Sequence, residues 1–357
     1  MLSEGYSSLD TEMAVIVREP FAATWLQHED RTPLVRLAAN TNYWDKDRGP
    51  HLSEVVFRND LEYEDALELV CSTEGEVDIV TMVPPEAAKK VENSEHAKLV
   101  AHDGIYSVAG IINRDTEGLP PLSDKRARKA MNLAIDRGRI VREAMFGHAS
   151  PLAGLTPDSA LPEENPLSPY AHDPDEAARL WNEAGGENTR PIRIAAFEEN
   201  GRVARAVARD LEASLGVDTE VVVHPADAEL RVRRRLAEKK LPHEWDVFIF
   251  GHGAQSADGV ALELHRAFVG KTGELRAGAV LPEFEALMGE LFSKTDPTEQ
   301  AEVSARIDRF VHDEALALFL AAPQSLYAVN DHVDFTPYRV TFELADTRMG
   351  EEHWSLR

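Results

Sequence analysis

The alternation of apolar and polar positions is clearest between residues 191 and 250. "PIRIAAF" is an apolar-rich run of strand length. "GRVARAVARDLEASLG" follows, with Val203, Val207, Leu211 and Leu215 four apart, which predicts a helix with one buried face. "VDTEVVVH" predicts a strand, "DAELRVRRRLAEKK" a second helix, and "WDVFIFG" a third strand whose continuous apolar run suits burial on both faces. Strand, helix, strand, helix, strand implies crossover connections and a largely parallel sheet. Ligands of such sheets gather beyond the carboxyl ends of the strands. Two loops qualify, "EENGR" (Glu198 to Arg202) and "GHGAQSADG" (Gly251 to Gly259).

Upstream the pattern is mixed α/β. Strands are predicted in "PLVRLAANTNYW", in "EVVFRND", over Val77 to Val80 and in "GIYSVAGIIN", with a helix in "YEDALELVCS". After Pro120 and Pro121, "SDKRARKAMNLAIDRGRIV" places Ala127, Ala130, Met131, Ala134 and Ile135 on one helical stripe. Ser123 is the expected N-cap, the basic residues are expected mainly on the solvated face, and a break is expected near Gly138. The prolines of residues 148–172 preclude a long helix. "DPDEAARLW" and "DPTEQAEV" each open a helix with an Asp cap, a proline at the first position and a glutamate completing the box. "PEFEALMGELFSK" predicts an amphipathic helix with Phe284, Leu287, Met288, Leu291 and Phe292 on its apolar side. "ALALFLAA" and "SLYAVN" predict strands separated at Pro323.

A length of 357 residues accommodates two domains. Acidic residues outnumber basic ones 63 to 38, a formal charge of −25, which disfavours nucleic acid and anionic membrane as general partners and suits a cationic or zwitterionic ligand. The single cysteine, Cys71, excludes an intrachain disulfide and reads as helix-end packing. The first twenty residues lack a basic stretch and a long apolar run, so no signal peptide is expected within them.

The thirteen histidines show neither H-x-x-x-H nor H-E-x-x-H spacing, and no phosphate or dinucleotide loop is present. No metal and no cofactor is expected. A hydrolytic trio of Ser256, His252 and Asp258 can be drawn, but the G-x-S-x-G elbow is missing, and no enzymatic activity is expected. Asp258 stands in a loop of small residues just past a buried strand, where a carboxylate can pair with an α-amino group; the same spacing also fits a cap for a helix from Val260. Glu198 and Arg202 carry the same two readings.

The ordered motifs "NTNYW…EVVF…GEVDIVTMVPPE…IIN…LSDKRARKAMNLAIDRGRIV…HDPDEAARLWNEAG…WDVFIFGHGAQSADG" resemble the family 5 solute-binding proteins, the dipeptide, oligopeptide and nickel receptors of ABC importers. The resemblance runs from about Thr24 to the C-terminus. It implies an α/β, two-lobed periplasmic-binding-protein-like fold of the class II type. The first lobe would comprise residues 1–112 and 331–357, the second 113–330. The basic helix would then be lobe scaffold. The family's "G-W-x-x-D-x-x-D-P" loop falls on "GHGAQSADG", which puts Asp258 in the ammonium-binding position. His252 stands for the tryptophan, Gln255 for the first acidic residue and Gly259 for the proline. With Gly253, Ser256, Glu198 and Arg202, these make up the expected ligand-binding set, Arg202 being the arginine nearest the family's carboxylate-binding position.

The expected ligand is a small peptide or a cationic or zwitterionic small molecule, and an ABC permease is the implied partner. Relative to the family, the opening strands, the small N-terminal domain and the leader are expected to be lacking, and "VREPFAATW" stands where "G-T-G-P-F" is usual. A first lobe without those strands would expose a sheet edge, suited to a homo-oligomer or to a partner chain that completes it. The resemblance implies a periplasmic or extracellular location. A chain lacking its leader would instead be a cytoplasmic descendant acting as a sensor or accessory subunit.

Overall fold

The computed structural model describes residues 21–26, 34–45, 47, 50–115, 122–161, 167–186, 190–240, 244–254, 260–339, 342 and 344–357. The chain divides into two compact units, one of residues 1–101 with 326–357 and one of residues 102–325.

The first unit opens with a three-stranded antiparallel meander of β1 (Phe21–Leu26), β2 (Leu34–Ala39) and β3 (Glu54–Arg58). α1 (Tyr63–Ser72), the short β4 (Ile79–Val80) and α2 (Ala88–Glu92) follow. Leu67 and Val70 of α1 and Val91 of α2 bury against Val80, Val83 and Ala97. Gly75 takes φ +103 at the turn after α1, a conformation in which an L side chain would be strained. Cys71 is half-buried at the end of α1, and burial pushes its thiol pKa up, as befits a packing cysteine. The chain passes to the second unit through β5 (Ala97–Asp103).

The second unit contains β6 (Tyr106–Ile112), α3 (Lys125–Ala134), the single turn α4 (Arg137–Arg139), β7 (Ala149–Pro151), α5 (Pro174–Glu183), β8 (Ile192–Phe197), α6 (Gly201–Leu215), β9 (Thr219–His224), α7 (Glu229–Ala237), β10 (Val247–Gly253), α8 (Val260–Phe268), α9 (Pro282–Ser293), α10 (Pro297–Asp313) and most of β11 (Ala317–Asn330). Strands lie in the order β11-β6-β10-β8-β9. The β10–β8 and β8–β9 pairs are parallel, as the crossover pattern predicts, while β6 runs antiparallel to both β10 and β11. Val247, Phe248, Ile249 and Phe250 are fully buried, and so are Val207 and Leu211 of the α6 stripe.

The basic helix departs from its expected form. Asp124, not Ser123, caps α3, its carboxylate accepting the Arg126 N–H at 2.8 Å. The helix breaks at Ile135, two residues before α4 and ahead of Gly138, because the Asp136 carboxylate accepts the Arg139 N–H and its own N–H donates to Asp210. Arg128 is buried rather than solvated. Its guanidinium donates to the carbonyls of Leu122 and Ser123 before its own helix and of Glu314 and Ala315 before β11.

β11 is continuous through Pro323, where two strands were expected. Pro323 occupies the last pair of the short β7 ladder, opposite Ala149, so its missing N–H falls at the end of the pairing, and the next N–H, of Gln324, donates to His148. Phe292, placed on the buried stripe by periodicity, is 62% exposed at the end of α9. The C-terminal part of β11 returns the chain to the first unit, pairing with β4, and β12 (Val333–Asp334) pairs with β13 (Arg348–Met349). Among the described residues no helix is long and apolar enough to cross a membrane.

Arg128→Met is expected to lower unfolding free energy by about 3 kcal/mol, because several buried carbonyls lose their donor together. Urea denaturation followed by circular dichroism measures this. A loss near zero would mean that water satisfies those carbonyls.

Candidate functional site

The carboxyl ends of β8 and β10 lie side by side, since the parallel register brings Ile249 beside Ala196. Beyond them β10 reaches His252 and Gly253, while antiparallel pairing sets Tyr106 of β6 opposite Gly253. The Tyr106 ring lies on the backbone of this stretch. A Cβ on Gly251 would stand 2.2 Å from its hydroxyl, and one on Gly253 would stand 3.1 Å from Cδ2. The spacing G-H-G is therefore what admits the tyrosine.

Glu199, in the turn after β8, lies close enough to Tyr106 to act on it electrostatically and accepts from Asn200 Nδ2 at 2.9 Å. Burial, and then the neighbouring Glu229, push the Glu199 carboxyl pKa up. Burial likewise raises Tyr106 above the ordinary phenol range. Arg233 of α7 brings its guanidinium to 4.4 Å from the Phe250 ring centroid and 5.5 Å from that of Phe197, and its Nε donates to Glu229 at 2.6 Å. A guanidinium backed by two rings and held by one carboxylate is fixed in direction yet keeps its Nη donors.

His252 and Gly253 line a cavity of about 290 Å³ with Glu263, Arg266 and Ala267 of α8 and with Thr272, Gly273 and Glu274. The His252 ring packs near Phe250 and Phe268, and burial lowers its pKa, with Glu274 and Glu263 opposing and Arg233 adding to the effect. The far wall is fastened by Lys239, which follows α7 at φ +57 and donates from Nζ to the carbonyls of Gly273 (2.8 Å), Glu274 (2.9 Å) and Arg276 (2.7 Å). Burial brings the Lys239 pKa down to about 8. Gly273 fits against α8 only without a side chain, since a Cβ there would stand 2.2 Å from the Arg266 carbonyl oxygen.

Of the residues expected at the site, His252 and Gly253 are brought together here. Arg202 is not among them. It is exposed on α6 and lines a separate cavity of about 230 Å³ with Glu143, Ala144, Arg205, Ala206 and Arg209. Glu198 accepts the Ala226 N–H at 3.3 Å and lines neither cavity. Gln255, Ser256 and Asp258 lie outside the described residues. Sequence reasoning missed Tyr106, Glu199 and Arg233. The paired glycines of "GHG" were the signal for the tyrosine, whereas nothing in "ELRVRRRLA" distinguishes Arg233 from its neighbours. Among the described residues no three His, Cys, Asp or Glu side chains gather as a metal site.

The family model described as bacterial extracellular solute-binding proteins, family 5 Middle, matches residues 19–262. The chain is 25% identical over 232 residues to the glutathione-binding protein GsiB of Pectobacterium atrosepticum, covering 65% of this chain and 43% of that protein. It is 27% identical over 166 residues to GsiB of Shigella flexneri, covering 46% of this chain and 30% of that protein. The match thus spans less than half the length of these relatives. The crystal structure of the ABC transporter substrate binding protein CtaP from Listeria monocytogenes superposes with a TM-score of 0.76 at 17% identity, covering 92% of this chain and 66% of that one. At such identity the likeness is one of fold, the periplasmic-binding-protein architecture expected from the sequence.

The lowered His252 pKa gives stability a pH dependence. Between that value and the ordinary 6.5, the unfolded chain binds a proton that the folded chain does not, so stability falls as pH drops through 6.5 and levels off once the folded imidazole is also protonated. His252→Gln is expected to remove this component. Urea midpoints from about pH 5 to about pH 8 should run parallel for wild type and variant above the ordinary histidine range and diverge below it. Parallel curves throughout would assign the acid sensitivity to other groups.

Proposed function

The chain belongs to the bacterial extracellular solute-binding proteins of family 5, and from that membership we propose that it is the solute receptor of an ABC importer, taking a peptide-sized zwitterion at the carboxyl edge of the sheet in its second unit. The observation that supports this reading is the cavity at His252 and Gly253, which bears charges of both signs and lies at the strand ends; Arg233, outside its lining, acts electrostatically on His252. A zwitterion needs a cation for its carboxylate and a carboxylate for its ammonium. Arg233 takes the first role in this reading. Asp258, two positions before α8, takes the second, with Gln255 and Ser256 supplying polar contacts from the same loop.

The relatives named for glutathione fit this chemistry, since glutathione is a tripeptide with a free ammonium and free carboxylates. Binding of this kind makes and breaks no covalent bond, so the receptor is not an enzyme. It works outside the cytoplasmic membrane and delivers its cargo to a permease. In this reading the two lobes are residues 1–112 with 331–357 and residues 113–330, bounds that differ from those of the two compact units in the placement of residues 102–112 and 326–330.

Thermal unfolding with glutathione and a panel of unmodified dipeptides tests the proposal. A ligand at about a hundred times its Kd stabilises the fold by about 2.7 kcal/mol. Asp258→Ala is expected to weaken binding about tenfold or more for free-amine peptides, with little further effect of N-acetylation. Arg233→Gln should do the same for the free carboxylate, with little further effect of amidation. If no member of the panel shifts the transition, the zwitterion reading fails.

A further inference from the structure

The second cavity stands apart from the zwitterion site and shares no lining residue with it. It is lined by Ala144 and Ala206 and by Arg202, Arg205 and Arg209, spaced so that all three arginines fall on one exposed face of α6. Glu143 is the only carboxylate among its described lining residues, and it is bonded to Arg209 at 2.9 Å.

These positions oppose the local electrostatics. The N-terminus of a helix carries partial positive charge, and cations there are unfavourable. α6 nevertheless places Arg202 and Arg205 near its start, with no acidic residue in its first turn and no side-chain cap from Asn200. The carboxylates just before it are turned elsewhere, Glu198 to Ala226 and Glu199 to Asn200. Arg205 makes no hydrogen bond or ion pair with another described residue, although acids outnumber bases 63 to 38 in this chain. Its guanidinium folds back to the helix start, Nη2 standing 3.5 Å from where a Cβ on Gly201 would be.

Arg202 is held over the Phe146 ring, 5.0 Å from its centroid. Phe146 itself sits at φ +52 and is 41% exposed, an unfavourable backbone conformation that presents an aromatic face to the cavity's arginine. Arg205, a cation near the positive end of its own helix with no partner among the described residues, stands where an anion would supply a countercharge, beside Arg202 over its ring and Arg209 on Glu143.

We propose that this cavity binds a phosphate group, either of a small soluble phosphate or of an anionic lipid headgroup. Guanidinium groups match phosphate oxygens in pairs, and the volume admits one phosphate with its near substituents. The site is independent of the solute at the strand edge and stands or falls separately from that reading.

Calorimetric titration of the full chain with inorganic pyrophosphate at low ionic strength tests it, alongside co-sedimentation with phosphatidylcholine vesicles with and without phosphatidylglycerol. Pyrophosphate is expected to bind and to weaken at least about tenfold in Arg205→Gln, while Arg234→Gln on α7 binds as wild type. Without pyrophosphate, Arg205→Gln should melt at the same temperature as wild type or higher, because a cation leaves the positive end of α6. A purely structural arginine would give a lower one. Vesicle binding that requires phosphatidylglycerol and is displaced by pyrophosphate assigns the lipid headgroup. Pyrophosphate binding with no vesicle binding assigns a soluble phosphate. The proposal is overturned if neither probe binds, if Arg205→Gln binds as wild type, or if acetate displaces pyrophosphate at equal concentration.

Discussion

Two buried guanidinium groups fix the strand on which the second unit is organised. Arg128 donates to the carbonyls of Glu314 and Ala315 just before β11, and Arg137 donates to the carbonyl of Phe319 within it at 2.6 Å. Between them Asn132 bonds the Ala317 carbonyl and accepts the Phe319 N–H. Arg137 is deeply buried, and that burial lowers its pKa to about 10, so it remains charged under ordinary conditions while its donors are used on backbone oxygens, including those of Asn132 and Tyr170. With β11 held this way, β6 takes its register from it and β10 from β6, and that chain of pairings sets where His252 and Gly253 emerge.

The helix that carries these arginines reads in the sequence as a solvated basic surface in an acidic protein. Periodicity identified its apolar stripe correctly, since Ala127, Ala130, Met131 and Ala134 are all buried. It could not find Arg128, because a long side chain can leave one face of a helix and end on another, wherever carbonyls lack donors. The same limit explains Pro323, whose tolerance depends on a three-residue neighbour, β7, that ends beside it. By contrast, the alternation of strands and helices from Ile192 to Gly253 was fully legible, because it rests on burial patterns of single elements.

The candidate site was legible only where it follows the strand ends. A loop after a buried strand pointed to His252 and Gly253, and both line a cavity. Arg202 was drawn to the same place by its loop after β8 and by its nearness to the family's carboxylate-binding position, yet its position on α6 turns it to the exposed face. Arg233 comes from mid-helix, and its approach to Phe197 and Phe250 depends on how α7 lies against the sheet, a tertiary fact without a local signature. Glu199 and His252 are both shifted toward their neutral forms by burial.

The contact between Tyr106 and the glycine backbone has an evolutionary corollary. A methyl group at position 251 would collide with the phenol, so a lineage that acquires alanine there must also move or shorten residue 106. Among homologues the two positions should change together, and a small residue at 106 should accompany a larger one at 251, leaving in the strand edge a record of which descendants kept the ring.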